Sequence, residues 1–438
     1  LHMKINVNEQ GHLTIGGCDA LELAQNYETP LVVYDVAQIR QQLRSYQEAF
    51  KQQQISAVVS YASKAFCAKA IYQVVQQEGA HVDVVSAGEL ATALAAGFDP
   101  QNISYHGNNK SLAELDFAIA QQVGVLVVDN FYELTLLQSL LHYKYPRQTI
   151  QVMLRITPGI SAHTHEYDQT GQIDSKFGFD VNSGQAEKAL QQVLQNPQLD
   201  LIGIHAHIGS QIMAVAGFEL LVAKLCQLAH AWQQKYHFET KILNLGGGFG
   251  IRYTDSDEPL TAQQFVEAIV QTLRKEWVNS DSELPQVWIE PGRAIVGNAG
   301  VSLYTIGSKK TIPHVRTFLT VDGGMGDNIR PALYQAQYEA VLARAPLAAA
   351  EQTVTVAGRY CESGDVLISQ QALPATQPGD ILAVLATGAY GYSMASNYNR
   401  IGRPAVVFAE EGQGQIVVAR EEIVDLMHLD QDYVKENE

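Results

Sequence analysis

At 438 residues the chain is longer than one ordinary core organises and implies two or three domains. Its 46 acidic residues against 29 Lys and Arg leave a net charge of −17 with no basic run to offset it, which argues against nucleic acid or an anionic membrane as a partner. No apolar run approaches the roughly 18 residues of a membrane span and no signal pattern opens the chain, so a cytoplasmic protein is expected.

Leu1 and His2, ahead of Met3, read as a cloning remnant. In the first 30 residues KINVNE and HLTIGG look like strands that join a later β domain. From about Leu31 to Arg293, β-branched runs alternate with stretches whose apolar residues recur at spacings of three and four. The strands expected are 56–61, 81–86, 103–107, 123–129, 150–156, 201–207, 241–247 and 286–291. Helical segments such as KAIYQVVQQEG, GELATALAAG, ELLVAKLCQLAHAWQQ and QQFVEAIVQTLRKEW lie between them. About eight strand–helix units in roughly 260 residues is the rhythm of an α/β (β/α)8 barrel of the TIM type, with a doubly wound open sheet as the other architecture that alternates this way.

After Arg293 the rhythm changes. TFLTVDGG, TVTVAGR, DILAVLATG, AVVFAE and QIVVARE are strand-like and broken by Gly, Pro and Asp, which reads as a mostly β domain. The expected division is a barrel over 33–293 and a β domain from 1–32 and 294–438. The polar loop 163–176 is long enough to act as a lid, and the tail DQDYVKENE reads as frayed.

Chemistry in such a barrel sits at the C-terminal ends of the strands. Lys64 follows the strand VVSYAS, where an ammonium drawn into a closed site would favour its neutral form, the form a Schiff base requires; a lysine snorkelling to the surface is the plainer alternative. LGGGFG (245–250) exposes successive backbone N–H groups suited to an anion, or is simply a tight turn. It is not the dinucleotide fingerprint and no Walker lysine follows, so NAD and ATP fit poorly. EPGR sets Glu290 and Arg293 three residues apart, able to hold a ring-nitrogen proton and a carboxylate respectively, or to close a loop as an ion pair. His207 is able to stack on a flat ring or to serve as a core histidine. A Schiff-base lysine, a phosphate nest, a carboxylate for a pyridine nitrogen and an aromatic stacker together are the requirements of pyridoxal 5'-phosphate. The four cysteines have no metal-type spacing, and neither a metal site nor a disulfide framework is expected.

YASKAF, HIGSQ, GGGFG, EPGR, DGGMGDNIRPALY, CESGD and GAYGYSMASNYN occur in this order, and with them the chain resembles the barrel-type, fold type III pyridoxal phosphate-dependent decarboxylases, within them most of all the diaminopimelate decarboxylase family. The resemblance runs from about Val33 to Asn399. It implies an alanine racemase-like barrel, a β domain built from both termini, and a head-to-tail homodimer with active sites shared at the interface. It implies conversion of meso-2,6-diaminopimelate to L-lysine and CO2, the last step of lysine biosynthesis. By the same resemblance Lys64 carries the cofactor and His207 stacks on it. Ser210, Gly247, Gly248, Pro291 and Gly292 hold it, Glu290 faces its ring nitrogen, and Tyr390 touches both cofactor and substrate. Arg293, Arg330 and Tyr334 take the substrate's distal carboxylate, with Arg293 also at the cofactor, and Glu362 takes the distal ammonium. Cys361 reaches across the interface as proton donor, since a thiol yields its proton near neutral pH more readily than a hydroxyl. Cys67 and Cys226 read instead as small apolar residues on helices. Gly326 departs from the pattern, where Asn is more usual. A decarboxylase for carboxynorspermidine, ornithine or arginine, or a non-catalytic pyridoxal phosphate-binding homologue, is the alternative.

Overall fold

The computed structural model describes residues 4–160 and 175–434, so the loop 163–176, apart from its last two residues, and the end of the tail lie outside the described residues. The chain divides into two compact units, one made of Ile39–Arg252 and Asp257–Ile295, the other of Leu1–Gln38, Tyr253–Ser256 and Val296–Glu438.

In the first unit eight parallel strands close on themselves. They are Ala57–Ala62, His81–Val84, Ile103–Tyr105, Val125–Val128, Ile150–Thr157, Leu199–His205, Ile242–Asn244 and Gln286–Ile289. The eighth pairs with the first and the fifth with the sixth, so no edge remains and the doubly wound alternative falls. Several strands end short of their expected limits. The residues beyond them (His106, Gly246 and Pro291 among them) keep single backbone hydrogen bonds to the neighbouring strand ends and form the rim. Helices follow the expected spacing. Ala262–Trp277 buries Phe265, Val266, Ile269, Val270, Leu273 and Trp277 on one face, and its N-terminus is closed by a capping box from Thr261 and Gln264.

Inside the barrel, Val58, Val125, Val127, Met153, Ile202, Ile242 and Trp288 form one apolar cluster drawn from six strands. Burial of this layer fills the lower barrel and leaves the upper layer to other residues.

The second unit is a mostly β body. Its central strand, Gly300–Ile312, pairs antiparallel with Leu31–Asp35, Ile381–Leu385 and Arg316–Val321. Leu31–Asp35 also runs parallel to Ala405–Glu410, which pairs with Gln413–Val418. Sequence reading missed Gly300–Ile312, because its second half, with Ser308, Lys309 and Lys310, is exposed and polar, and it missed Val366–Leu373 for the same reason. At the N-terminus the expected strands shrink to a two-residue hairpin, Thr14–Ile15 with Cys18–Asp19, and one bridge between Val7 and Leu13. Leu13, Ile15 and Leu23 are nevertheless core, packed with Leu31, Val33, Leu303 and Val407. No helix among the described residues is long and apolar enough to cross a membrane.

Candidate active site

Side chains alternate along a strand, so moving two residues on from the apolar layer reaches the next inward position. That step converts Val58 to Ser60, Val127 to Asp129, Met153 to Arg155, Ile242 to Asn244 and Trp288 to Glu290. The sixth strand needs three steps, from Ile202 to His205, because its register shifts between Leu201 and Gly203. Asp83 comes from the second strand and His106 from just past the third. A charged and polar layer therefore caps an apolar one.

Glu290 is its centre. His106 Nε2 lies 2.7 Å from one carboxylate oxygen and His205 Nε2 lies 2.6 Å from the other, all three side chains being buried. Burial alone would raise the Glu290 carboxyl, but the two imidazoles outweigh it and hold the group well below the usual carboxylate range. An ionised carboxylate only accepts, so both Nε2 atoms carry the hydrogen. Asp83 goes the other way. Burial, then the Glu290 charge, push it well above its ordinary value, although Ser60 Oγ donates to it at 2.5 Å. The two buried carboxyls are thus driven in opposite directions. Burial also pushes His205 down to about 4, and His207 falls well below its ordinary value through burial first and then the charge of Lys64.

Lys64 stands in a single 3-10 turn, Ser63–Ala65, just past the first strand. Its side chain is exposed at the rim rather than enclosed, a correction to the expected closed setting, because the turn carries it beyond the last strand residue. Its charge still acts on Asp83, Glu89 and His207. His207 Nδ1 accepts from the Gly247 N–H at 3.3 Å, which fixes its hydrogen on Nε2. The glycine run is required by contact as well as by turn geometry. A Cβ on Gly246 (φ +67°) would lie 2.7 Å from the Ala206 carbonyl, and one on Gly247 would fall on the Glu290 carbonyl. Gly248 packs against the Gly209 carbonyl, which brings the exposed Ser210 to the same rim. Pro291 O accepts from Ala62 N at 3.1 Å, and Gly292 packs on Ala62 and Ala65, so the Lys64 turn and the EPGR turn are one structure. Arg293, half-buried, opens the short helix Arg293–Val296.

The other expected site residues belong to the β unit. Arg330 begins the short helix Arg330–Tyr334 and is buried. It donates to the Tyr338 hydroxyl at 2.7 Å and its guanidinium lies 4.8 Å from the centre of the Tyr253 ring. Tyr390 is near enough to act on its charge, and among the described residues no carboxylate pairs with it. Tyr334 is 57% exposed, and Cys361 and Glu362 are exposed as well. Asp365 anchors their turn by accepting from Met325 N at 2.7 Å and Tyr360 N at 2.9 Å, while Cys361 N donates to Asn399 at 2.8 Å. The structure also accounts for Gly326. A Cβ there would overlap the hydroxyl of Tyr360, the neighbour of Cys361. Cys226 is buried in the helix Ala216–Tyr236, but Cys67 lies in the loop before Lys69–Gln77, beside the Tyr72 hydroxyl.

Sequence reading missed His106, His205, Asp83 and Arg155. The usable signal was the position two residues above each inward apolar residue, and for His205 a bulge hides it.

Residues 36–297 match the family described as "Pyridoxal-dependent decarboxylase, pyridoxal binding domain". The chain is 54% identical to the diaminopimelate decarboxylase of Bacillus subtilis over 430 residues, covering 98% of each, and 55% identical to that of Bacillus methanolicus over 419, covering 96% of each. It superposes with a TM-score of 0.92 on the crystal structure of diaminopimelate decarboxylase from M. jannaschii in complex with L-lysine, at 33% identity and 98% coverage of both chains. The donor set fits the pyridoxal group: an amine, a neutral imidazole, bare glycine backbone at the rim and an ionised carboxylate. The chain belongs to the fold type III pyridoxal-dependent decarboxylases, in the family of the diaminopimelate decarboxylases.

Proposed function

We propose that the chain is a pyridoxal 5'-phosphate-dependent carboxy-lyase that converts meso-2,6-diaminopimelate to L-lysine and CO2, the last step of lysine biosynthesis. The observation that carries the substrate class is Arg330, a buried guanidinium surrounded by tyrosines and lacking a carboxylate partner among the described residues. A buried cation in that state favours an anionic partner, and a distal carboxylate supplies one; ornithine, which ends in a bare ammonium, does not.

When bound, the cofactor supplies an electron sink for the pair left on carbon as CO2 departs. The chain's own residues do the rest. Lys64 holds the cofactor covalently through Nζ, and His207 presents a neutral ring to its face. Ser210, Gly247, Gly248, Pro291 and Gly292 shape the anion-binding rim beside Lys64. Glu290 keeps a proton on the ring nitrogen. Arg293, Arg330 and Tyr334 fix the distal carboxylate, Glu362 the distal ammonium, and Tyr390 orders the space next to Arg330. Cys361 returns a proton to the carbon that lost CO2.

The chain works as a homodimer with shared sites, Cys361 serving the partner subunit's barrel. The exposure of Cys361 and Glu362 on an anchored turn supports this. Mixing inactive Lys64→Ala and Cys361→Ala subunits restores roughly a quarter of full activity, since half the dimers are mixed and half their sites intact. Exchange of subunits without return of activity refutes the shared site. The reaction is tested by CO2 release from meso-diaminopimelate, L-lysine, L-ornithine and L-arginine, with and without added cofactor. Release from diaminopimelate alone is expected, and faster release from ornithine or arginine overturns the assignment.

A further inference from the structure

Glu290 is faced from five directions: by Asp83 on the second strand, His106 after the third, Arg155 on the fifth, and His205 and His207 on and after the sixth. Of these only His106 and His205 touch its oxygens, one each. We propose that His106 and His205 are positioning residues: they cap both oxygens of Glu290 with N–H donors, holding it as an oriented anion that leaves the cofactor's ring proton on the ring. The proposal rests on the pyridoxal reading above.

The geometry carries it in three steps. A carboxylate offers about four lone-pair sites, and the two imidazoles take one on each oxygen, so the carboxyl plane is fixed while sites for a third donor remain. His205 Nδ1 is buried with no hydrogen-bond partner among the described residues. A hydrogen there would be an unmet buried donor, so the ring keeps Nδ1 bare and its one hydrogen on Nε2, aimed at Glu290. Asp83 meanwhile is pushed well above its ordinary value by burial and then by the Glu290 charge, so of the two carboxyls Glu290 is the stronger acid.

A carboxylate that already accepts two hydrogen bonds is a weaker base than one that accepts none. The proton shared with a pyridine nitrogen then stays on nitrogen, where it draws electron density from the ring. Remove one donor and the carboxylate becomes more basic, its plane loses an anchor, and the ring loses part of its proton. His106, His205 and Glu290 also bring ligand-type atoms within 4.8 Å of one another, yet the two hydrogen bonds satisfy that set without an ion.

The test uses the holoenzyme loaded with cofactor labelled by 15N at the ring nitrogen. In the unaltered protein the ring signal is that of a protonated nitrogen, and histidine 15N shifts show His205 protonated at Nε2 and bare at Nδ1. In His205→Leu the ring signal moves toward the unprotonated position, and kcat falls by about 10- to 150-fold with KM within about threefold, the loss of one charged hydrogen bond. His205→Gln, whose amide donates at similar reach, restores most of both. An unmoved ring signal in His205→Leu overturns the proposal. So does a protonated Nδ1 in the unaltered protein, a measurement that stands even if the leucine variant fails to fold. Stoichiometric zinc on the purified holoenzyme that is lost in both His106→Leu and His205→Leu would also overturn it, because a metal-bound Nε2 carries no hydrogen to donate to Glu290. Failure of the unaltered protein to retain labelled cofactor would instead bring down the pyridoxal reading, and this proposal with it.

Discussion

Replacing Glu290 by Gln keeps the volume and removes the charge. His106 and His205 now donate one to each of its two oxygens. In the glutamine one oxygen becomes an NH2, so one imidazole faces a donor with a donor. His205 is poorly placed to swap its hydrogen to the other nitrogen, because Nδ1 is buried and unpartnered among the described residues. Whichever side the amide nitrogen takes, one charged hydrogen bond is lost, at about 1.5–3 kcal/mol, and the ring nitrogen loses the anion that holds its proton. If that energy acts on the chemical step, kcat falls by roughly 10- to 150-fold. The assay is CO2 release at saturating diaminopimelate, beside visible absorbance to verify cofactor loading. Full loading with kcat within twofold of the unaltered enzyme refutes the reasoning, because the carboxylate would then be structural only.

Arg330→Ala removes the buried guanidinium between Tyr253 and Tyr338 and raises KM for diaminopimelate by roughly 30- to 1000-fold, an effect of about 2–4 kcal/mol; kinetics within twofold of normal would dismiss the distal-carboxylate role. Gly326→Asn drives a Cβ into the Tyr360 hydroxyl and displaces the turn before Cys361, costing about 1–3 kcal/mol in thermal or chemical unfolding; adding Tyr360→Ala relieves the overlap, and an additive double mutant would reject the coupling. His205, held near 4 by burial when folded, takes up a proton on unfolding, so its share of stability is lost as pH falls from about 6.5 toward 4, by up to about 3 kcal/mol. The difference in unfolding free energy between the unaltered protein and His205→Gln should widen toward high pH across that window, and a pH-independent difference would contradict the buried neutral imidazole.

The eight-unit rhythm was legible because turn residues punctuate it and because most barrel strands are short runs rich in β-branched and other apolar residues. Lys64 and Glu290 were legible for a related reason. Each sits immediately past a strand, and position alone places it at the rim. The partners of Glu290 were not. His106 is 184 residues away and His205 is 85, and they meet only when the third, sixth and eighth strands close into one cylinder. Simple alternation from Ile202 would have pointed His205 outward, and the register shift that turns it inward leaves no mark in composition. Gly300–Ile312 escaped because a strand with an exposed polar half does not alternate cleanly. Gly326 reads as a departure from a pattern until Tyr360 is seen occupying the space a side chain would need.

The most direct measurement of the central claim follows a label. meso-Diaminopimelate carrying 13C in the carboxyl group of its D-configured centre is incubated with cofactor-loaded enzyme, and both products are analysed. The account predicts that all of the label leaves as CO2 and that the lysine formed is unlabelled and of the L form. Label retained in lysine, or cofactor-loaded enzyme that releases no CO2, would contradict it.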